Sequence, residues 1–273
     1  MNLLNTFLRN SIPNRDVIAP IEEFAPLSLQ ESYDNAGLIV GRPDDEVHKA
    51  LLAVDVTEEV LQEAVEEGCD MIITHHPIVF HPLKRFNSAT YVERCVEEAI
   101  RRGIVLYAAH TNLDSTPDGM SWRVGQMLGL ENMEVMQPTN PEGAGFGVVG
   151  ELPQAEQSEE FMQRVMRIFD VKALRHSGIV KPQIRKVAIC TGSGGSLIGE
   201  AQKCCADIYL TADLKYNDFM RNENAIILAD MGHFESEYCA IQILFDILSK
   251  KIPIFAVRKS VRSSNPVNYM VQQ

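Results

Sequence analysis

Three short strings hold imidazoles and carboxylates at spacings that suit a divalent cation: Thr74-His75-His76-Pro77, His110-Thr111-Asn112-Leu113-Asp114 and Gly232-His233-Phe234-Glu235-Ser236-Glu237. Imidazole is the commonest protein metal ligand, and mixed imidazole and carboxylate sets suit Zn, Mn, Fe or Ni. His233 and Glu237 lie four residues apart, so they share a face if a helical turn begins at His233. Each string alone has a plainer reading: loop histidines, an aspartate satisfying loop amides, a glutamate complementing a helix dipole. Taken together, His75, His76, Asp114, His233 and Glu237 are more ligands than one open catalytic zinc needs. A carboxylate bridging two ions roughly 3.5–4 Å apart would use them economically. His110 is the candidate proton carrier, because imidazole titrates near neutrality and this one just precedes Asp114. The turn Gly192-Ser193-Gly194-Gly195-Ser196 would let backbone amides approach a phosphate at a helix start. It is neither a Walker motif nor a GxGxxG, and a tight turn needing small residues explains it as well.

The elements that must carry these residues alternate between strand and helix. Lys49–Val56 reads as a strand and Thr57–Glu67 as a helix, capped by Thr57 and stopped by Gly68. Strand 71–74, helix 91–102, strand 104–109 and helix 119–130 follow. The polar, Pro- and Gly-containing stretch 131–145 predicts a boundary, giving domains 1–135 and 136–273. The second half predicts strands at 146–151, 186–190, 208–211, 226–229 and 254–257. Helices are expected at 158–169, 197–204, 213–221 and 236–248. The pattern is that of an α/β protein with parallel sheets, in which ligands sit at the carboxyl ends of strands. The C-terminal segment could pack back on the first domain.

Composition excludes several classes. The 273 residues are 45% hydrophobic and 23% charged, enough apolar surface for a sizeable core rather than disorder. With 25 basic against 37 acidic side chains the formal net charge is −12, which argues against a nucleic-acid-coating protein. The cluster Lys250–Arg262 reads as charged surface. No apolar run reaches the ~18 residues of a membrane span. Residues 1–13 do not read as a signal peptide. The six cysteines form no CxxC pair and suit a reducing compartment, so the expected location is the cytoplasm.

The string Ser32-Tyr33-Asp34-Asn35-Ala36-Gly37-Leu38-Ile39-Val40-Gly41, followed in order by ITHHP, HTNLD, TGSGGSL and ADMGHFESE, resembles the Nif-three-like family, also known as GTP cyclohydrolase I type 2 homologs. The resemblance covers almost the whole chain, in the short form without a central inserted domain. It implies two similar three-layer α/β/α domains with a di-metal site in the cleft between them, and ring-shaped homohexamers. Carried over by motif, the ligands to two divalent ions per chain fall on His75, His76, Asp114, His233 and Glu237, with Glu237 bridging. Asp34 and Asn35 belong to the family's DNxGL motif. The chain reads Lys215-Tyr216-Asn217 where relatives often carry a histidine. The implied activity is metal-assisted hydrolysis of a nucleotide-like substrate, GTP if the family's label applies, with residues 192–196 on its phosphates. The alternative is a metal-binding scaffold, interaction protein or metal chaperone without catalysis.

Overall fold

The computed structural model describes residues 11–270. In chain order the first elements are β1 (Ile12–Pro13), α1 (Asn14–Phe24), β2 (Gly37–Val40), β3 (Glu46–Val47), β4 (Lys49–Ala53), α2 (Glu58–Glu66), β5 (Met71–Thr74), α3 (Tyr91–Arg102) and β6 (Val105–Ala108). There follow α4 (Thr111–Ser115), α5 (Met120–Met127), β7 (Glu131–Pro138), β8 (Gly145–Gln157), α6 (Ser158–Phe169), β9 (Arg175–His176), β10 (Gln183–Ser193) and α7 (Ile198–Lys203). The chain closes with β11 (Ile208–Ala212), β12 (Ile227–Asp230), α8 (His233–Glu237), α9 (Cys239–Lys251) and β13 (Ala256–Lys259). The stretch 1–13 expected to lack a signal peptide lies mostly outside the described residues. No helix among the described residues is long and apolar enough to cross a membrane.

The chain divides into two compact units. One runs through Leu113 and includes Ala240–Ser264; the other is Asp114–Cys239 with the residues from Asn265 on. The break therefore falls at 113/114, not at 135/136 as the sequence predicts. The physical reason is that residues 131–138 form a strand, β7, which pairs antiparallel with β8. The Pro- and Gly-rich stretch between them is a hairpin turn, closed by the Thr139 amide donating to Ala144 O at 2.8 Å.

In the first unit the sheet order is β13-β4-β5-β6-β2. The strands β13, β4, β5 and β6 are parallel, and β2 joins antiparallel at the edge. Leu51, Ile72 and Leu106 are buried with Val60, Leu61 and Ala64 of α2 and Cys95, Val96 and Ala99 of α3. Each such side chain contributes about 1.5–3 kcal/mol on burial. Both helices start on a side-chain cap: Thr57 Oγ1 accepts from the Val60 amide and Thr90 Oγ1 from the Glu93 amide. Gly103, in the left-handed region at φ 69°, ends α3.

The second unit has the order β7-β8-β10-β11-β12-β9. Only β10, β11 and β12 are mutually parallel; β7, β8 and β9 pair antiparallel, so neither sheet is the wholly parallel one expected. The hairpin turn supplies the antiparallel join directly, whereas a parallel one needs a longer crossover. Ala188, Tyr209 and Leu228 pack with Leu197, Ile198 and Ala201. The helix expected over 213–221 is instead a short 3-10 turn, Asp218–Asn222. Asp213 sits in the left-handed region, and the Asp218 carboxylate takes the Lys215 amide at 2.9 Å, which stops an α-helix from propagating.

Glu63 of α2 is buried and anchors the segment after β13. It accepts from Ser260 Oγ and from the amides of Val261 and Arg262, at 2.9 and 3.0 Å. Burial alone would raise its pKa, but these donors outweigh burial and hold it below the usual carboxylate value. Its contribution is therefore present above the unfolded pKa near ~4.3 and lost as pH falls through the lower folded value. Glu63→Ala leaves buried donors unmatched and is expected to cost about 2 kcal/mol in urea unfolding at neutral pH, with a smaller difference at pH 3.

Candidate metal centre

The parallel register of the first sheet brings the histidines together. Thr74 of β5 pairs with Ala108 of β6, so one residue further on His75 lies beside Ala109. His75 is fully buried, and its Nδ1 lies 2.8 Å from Ala109 O. Thr74 Oγ1 donates to His76 O and the His76 amide donates to Val54 O, which turns the chain out of the strand. Ala53 of β4 pairs with Thr74, so Asp55 and His76 each lie two residues past that bridge. His76 Nδ1 meets Asp55 Oδ1 at 2.8 Å. Ligand nitrogens of His75, His76 and His110 all lie within 4.8 Å of one another.

His110, the candidate proton carrier, has its Nδ1 2.7 Å from Asp34 Oδ1. Asp34 also takes the Thr111 amide at 3.0 Å, the Thr111 hydroxyl and the Asn35 amide at 2.7 Å. Burial pushes the Asp34 pKa up, but these donors and the His110 imidazole bring it down to about 2. Asn35 Nδ2 donates to Val79 O at 2.6 Å. The exposed rings of Tyr33 and Phe80 meet edge to face at 6.3 Å, and Phe80 lies 6.0 Å from the His110 ring.

The second unit repeats the device. Thr211 of β11 pairs with Asp230 of β12, and the residues just beyond are Asp213 and, after the turn at Gly232, His233. His233 Nδ1 meets Asp213 Oδ2 at 2.7 Å and its Nε2 lies 3.0 Å from Glu237 Oε2, one turn along α8. Burial opposes charge on His233, yet the two carboxylates raise its pKa to about 11. Glu237 is only 3% exposed, and its carboxylate lies within 4.8 Å of Asp114, which is half-buried in α4.

Room for Glu237 comes from Gly192. A Cβ there would overlap Glu237 Oε1, and the residue sits in the left-handed region at φ 64°. This narrows the phosphate reading of residues 192–196. The Gly192 amide donates to Ser236 Oγ and the Gly194 amide to Thr211 Oγ1, while Gly194 O accepts from Tyr209 Oη. Those two amides are thus spent inside the protein, and Ser193 ends β10 while Gly195 and Ser196 enter the following 3-10 turn. Cys190 and Cys239 lie near Asp114 and Glu237, but burial first and these carboxylates second push both thiols up to about 12.

The family model Duf34/NIF3 (NGG1p interacting factor 3) matches residues 13–266. The chain belongs to this family. A Clostridium acetobutylicum relative named GTP cyclohydrolase 1 type 2 homolog is 36% identical over 247 residues, 89% of this chain and 90% of that one. NIF3-like protein 1 of Drosophila melanogaster is 30% identical, covering 87% of this chain and 84% of that protein. The crystal structure of a Bacillus cereus protein related to NIF3 superimposes with a TM-score of 0.88 at 23% identity, over 95% of this chain and 99% of that chain. Reduced HcgD from Methanocaldococcus jannaschii gives a TM-score of 0.77 at 27% identity, over 91% and 98%.

Among this NIF3 family member's site residues, sequence reasoning missed Asp55 and Asp213. An aspartate two residues past a strand is also an ordinary turn residue; only strand register ties each to a particular histidine. Gly192→Ala is expected to displace Glu237 and weaken divalent-ion binding at least tenfold in equilibrium dialysis, while unfolding stays cooperative. Unchanged affinity would mean that Glu237 does not depend on this close approach.

Proposed function

We propose that this NIF3 family member is a divalent-metal-binding protein, with two ions per chain held by His75, His76, Asp114, His233 and Glu237. The observation that carries the reading is the seat of Glu237: a buried carboxylate whose Oε1 fills the space a Cβ on residue 192 would take, beside a second carboxylate and an imidazole. Burying acidic groups is costly unless positive charge compensates them, and a cation supplies that charge. When bound, the ions would supply Lewis-acid charge and lower the pKa of a water.

For activity, we propose a hydrolase acting on a nucleotide-like substrate. The Nδ1 proton of His110 is committed to Asp34, so Nε2 is the atom through which this residue would take up or give back a proton. Tyr33 and Phe80 offer exposed ring surface next to it, suited to stacking a planar base. Nucleic acid fits less well. In the basic tail, Lys251 pairs with Glu23, Arg258 with Glu67 and Arg262 with Glu66, so three of its five positive charges are already matched. A second reading, a metal-holding protein without turnover, draws on the complete burial of His75.

Two experiments test these readings. In the metal-free protein His233 is protonated at pH 7, so a cation taken up at its Nε2 releases a proton. Calorimetry in buffers of different ionisation enthalpy should show about one proton released from this site, absent in His233→Ala. The metal-loaded protein, assayed for formate release from GTP and for phosphate release from a nucleotide panel, should turn over at least one substrate. His75→Ala and Glu237→Ala should each lower the rate by 100-fold or more. Metal bound with no turnover of any nucleotide would favour the non-catalytic reading.

A further inference from the structure

Six imidazoles in this protein place Nδ1 against an acceptor; His48 and His176 do so away from the candidate site, on Asp70 and Ser177 O, and the other four are the clustered histidines. In each of these four, Nδ1 faces an atom that can only accept: Ala109 O for His75, Asp55 Oδ1 for His76, Asp34 Oδ1 for His110 and Asp213 Oδ2 for His233, at 2.7–2.8 Å. A carbonyl or ionised carboxylate has no proton to give, so the bond exists only if Nδ1 carries the hydrogen. In His75, His76 and His110 the ring is thereby fixed in the form that presents Nε2 as the basic nitrogen, with its orientation held at the far side; in His233 the Nε2 also faces Glu237 Oε2 at 3.0 Å, so a cation there takes the place of a proton. Three of the four acceptors are carboxylates, which increase the basicity of the ring they hold.

We infer that Asp55 and Asp213, with Asp34 behind His110, are positioning residues that fix the histidines as Nε2 ligands. The inference rests on the metal-binding reading above and deepens it. Asp55 and Asp213 are the clearer cases. Each is partly exposed and bonds its histidine, whereas Asp34 also holds the Thr111 and Asn35 amides. Their placement follows from the sheets: an aspartate two residues past β4 reaches the histidine past β5, and one just past β11 reaches the histidine past β12. Asp70 holds His48 in the same way at the other end of β4 and β5, so what ties Asp55 and Asp213 to the site is that the histidines they hold belong to the clustered ligand groups.

The test uses zinc ion as the probe and the full chain. Zinc affinity, by competition with a chromophoric chelator, is compared for the wild type, Asp55→Ala, Asp55→Asn and Asp213→Ala. The alanine variants should bind zinc 10–100-fold more weakly. Asp55→Asn should lose less, because its amide oxygen still accepts from Nδ1 while the charge is gone. Nitrogen-15 correlation spectra of the metal-free protein at alkaline pH should show His76 wholly as the Nδ1–H form in the wild type. In Asp55→Ala it should shift toward Nε2–H, at an unchanged unfolding midpoint. Wild-type zinc affinity retained in both alanine variants, with His76 still in the Nδ1–H form, would overturn the inference and leave the metal reading standing. No zinc uptake by the wild type, with His76 nonetheless held in the Nδ1–H form by Asp55, would uphold the positioning role and overturn the metal reading.

Discussion

The hydrogen-bond register of the parallel strand pairs is the constraint on which the candidate site depends. A parallel pair in register delivers the residues just past its last bridge side by side, and the side chains there are no longer committed to a sheet face. In the first unit the bridges Ala53 to Thr74 and Thr74 to Ala108 place Asp55, His76 and His110 along one sheet edge. In the second, the bridge from Thr211 to Asp230 does the same for Asp213 and His233. A one-residue slip in any of these pairs would set each acid beside a different residue and flip the buried strand faces. The buried apolar strands therefore do more than stabilise the fold: by admitting a single register they decide which acid meets which imidazole.

Stability and site chemistry pull in opposite directions around Glu237. A carboxylate only 3% exposed, near Asp114 and two buried thiols, is an expensive arrangement that packing alone would not select. The protein tolerates it through local devices. Gly192 opens the space, and His233 lies between Asp213 and Glu237, whose carboxylates raise its pKa. Elsewhere the buried acid Glu63 is satisfied outright by a hydroxyl and two amides.

Much of this was legible in the sequence. Thr57 as a helix cap, β5 ending at Thr74 and the spacing from His233 to Glu237 follow from local chemistry and periodicity, and all recur in the structure. What was not legible needed long-range pairing. Residues 131–145 look like a linker because Pro, Gly and Asn mark a turn whether it joins domains or two strands of a hairpin. The edge strands β7 and β9 are mostly polar and exposed, so without the buried apolar run of the parallel strands they read as loop. Asp55 and Asp213 are unremarkable in sequence, since each acquires meaning only from the neighbouring strand's register. Gly192 reads equally as a phosphate loop or as a close approach, and only the position of Glu237 distinguishes them.

The central claim is that these residues hold divalent ions. Elemental analysis of the purified full-length chain after dialysis at neutral pH tests it most directly. The account predicts two equivalents of a transition metal or zinc per chain, falling when Glu237 is replaced by Gln. Metal-free protein that takes up no zinc, manganese, iron or nickel under these conditions would contradict it.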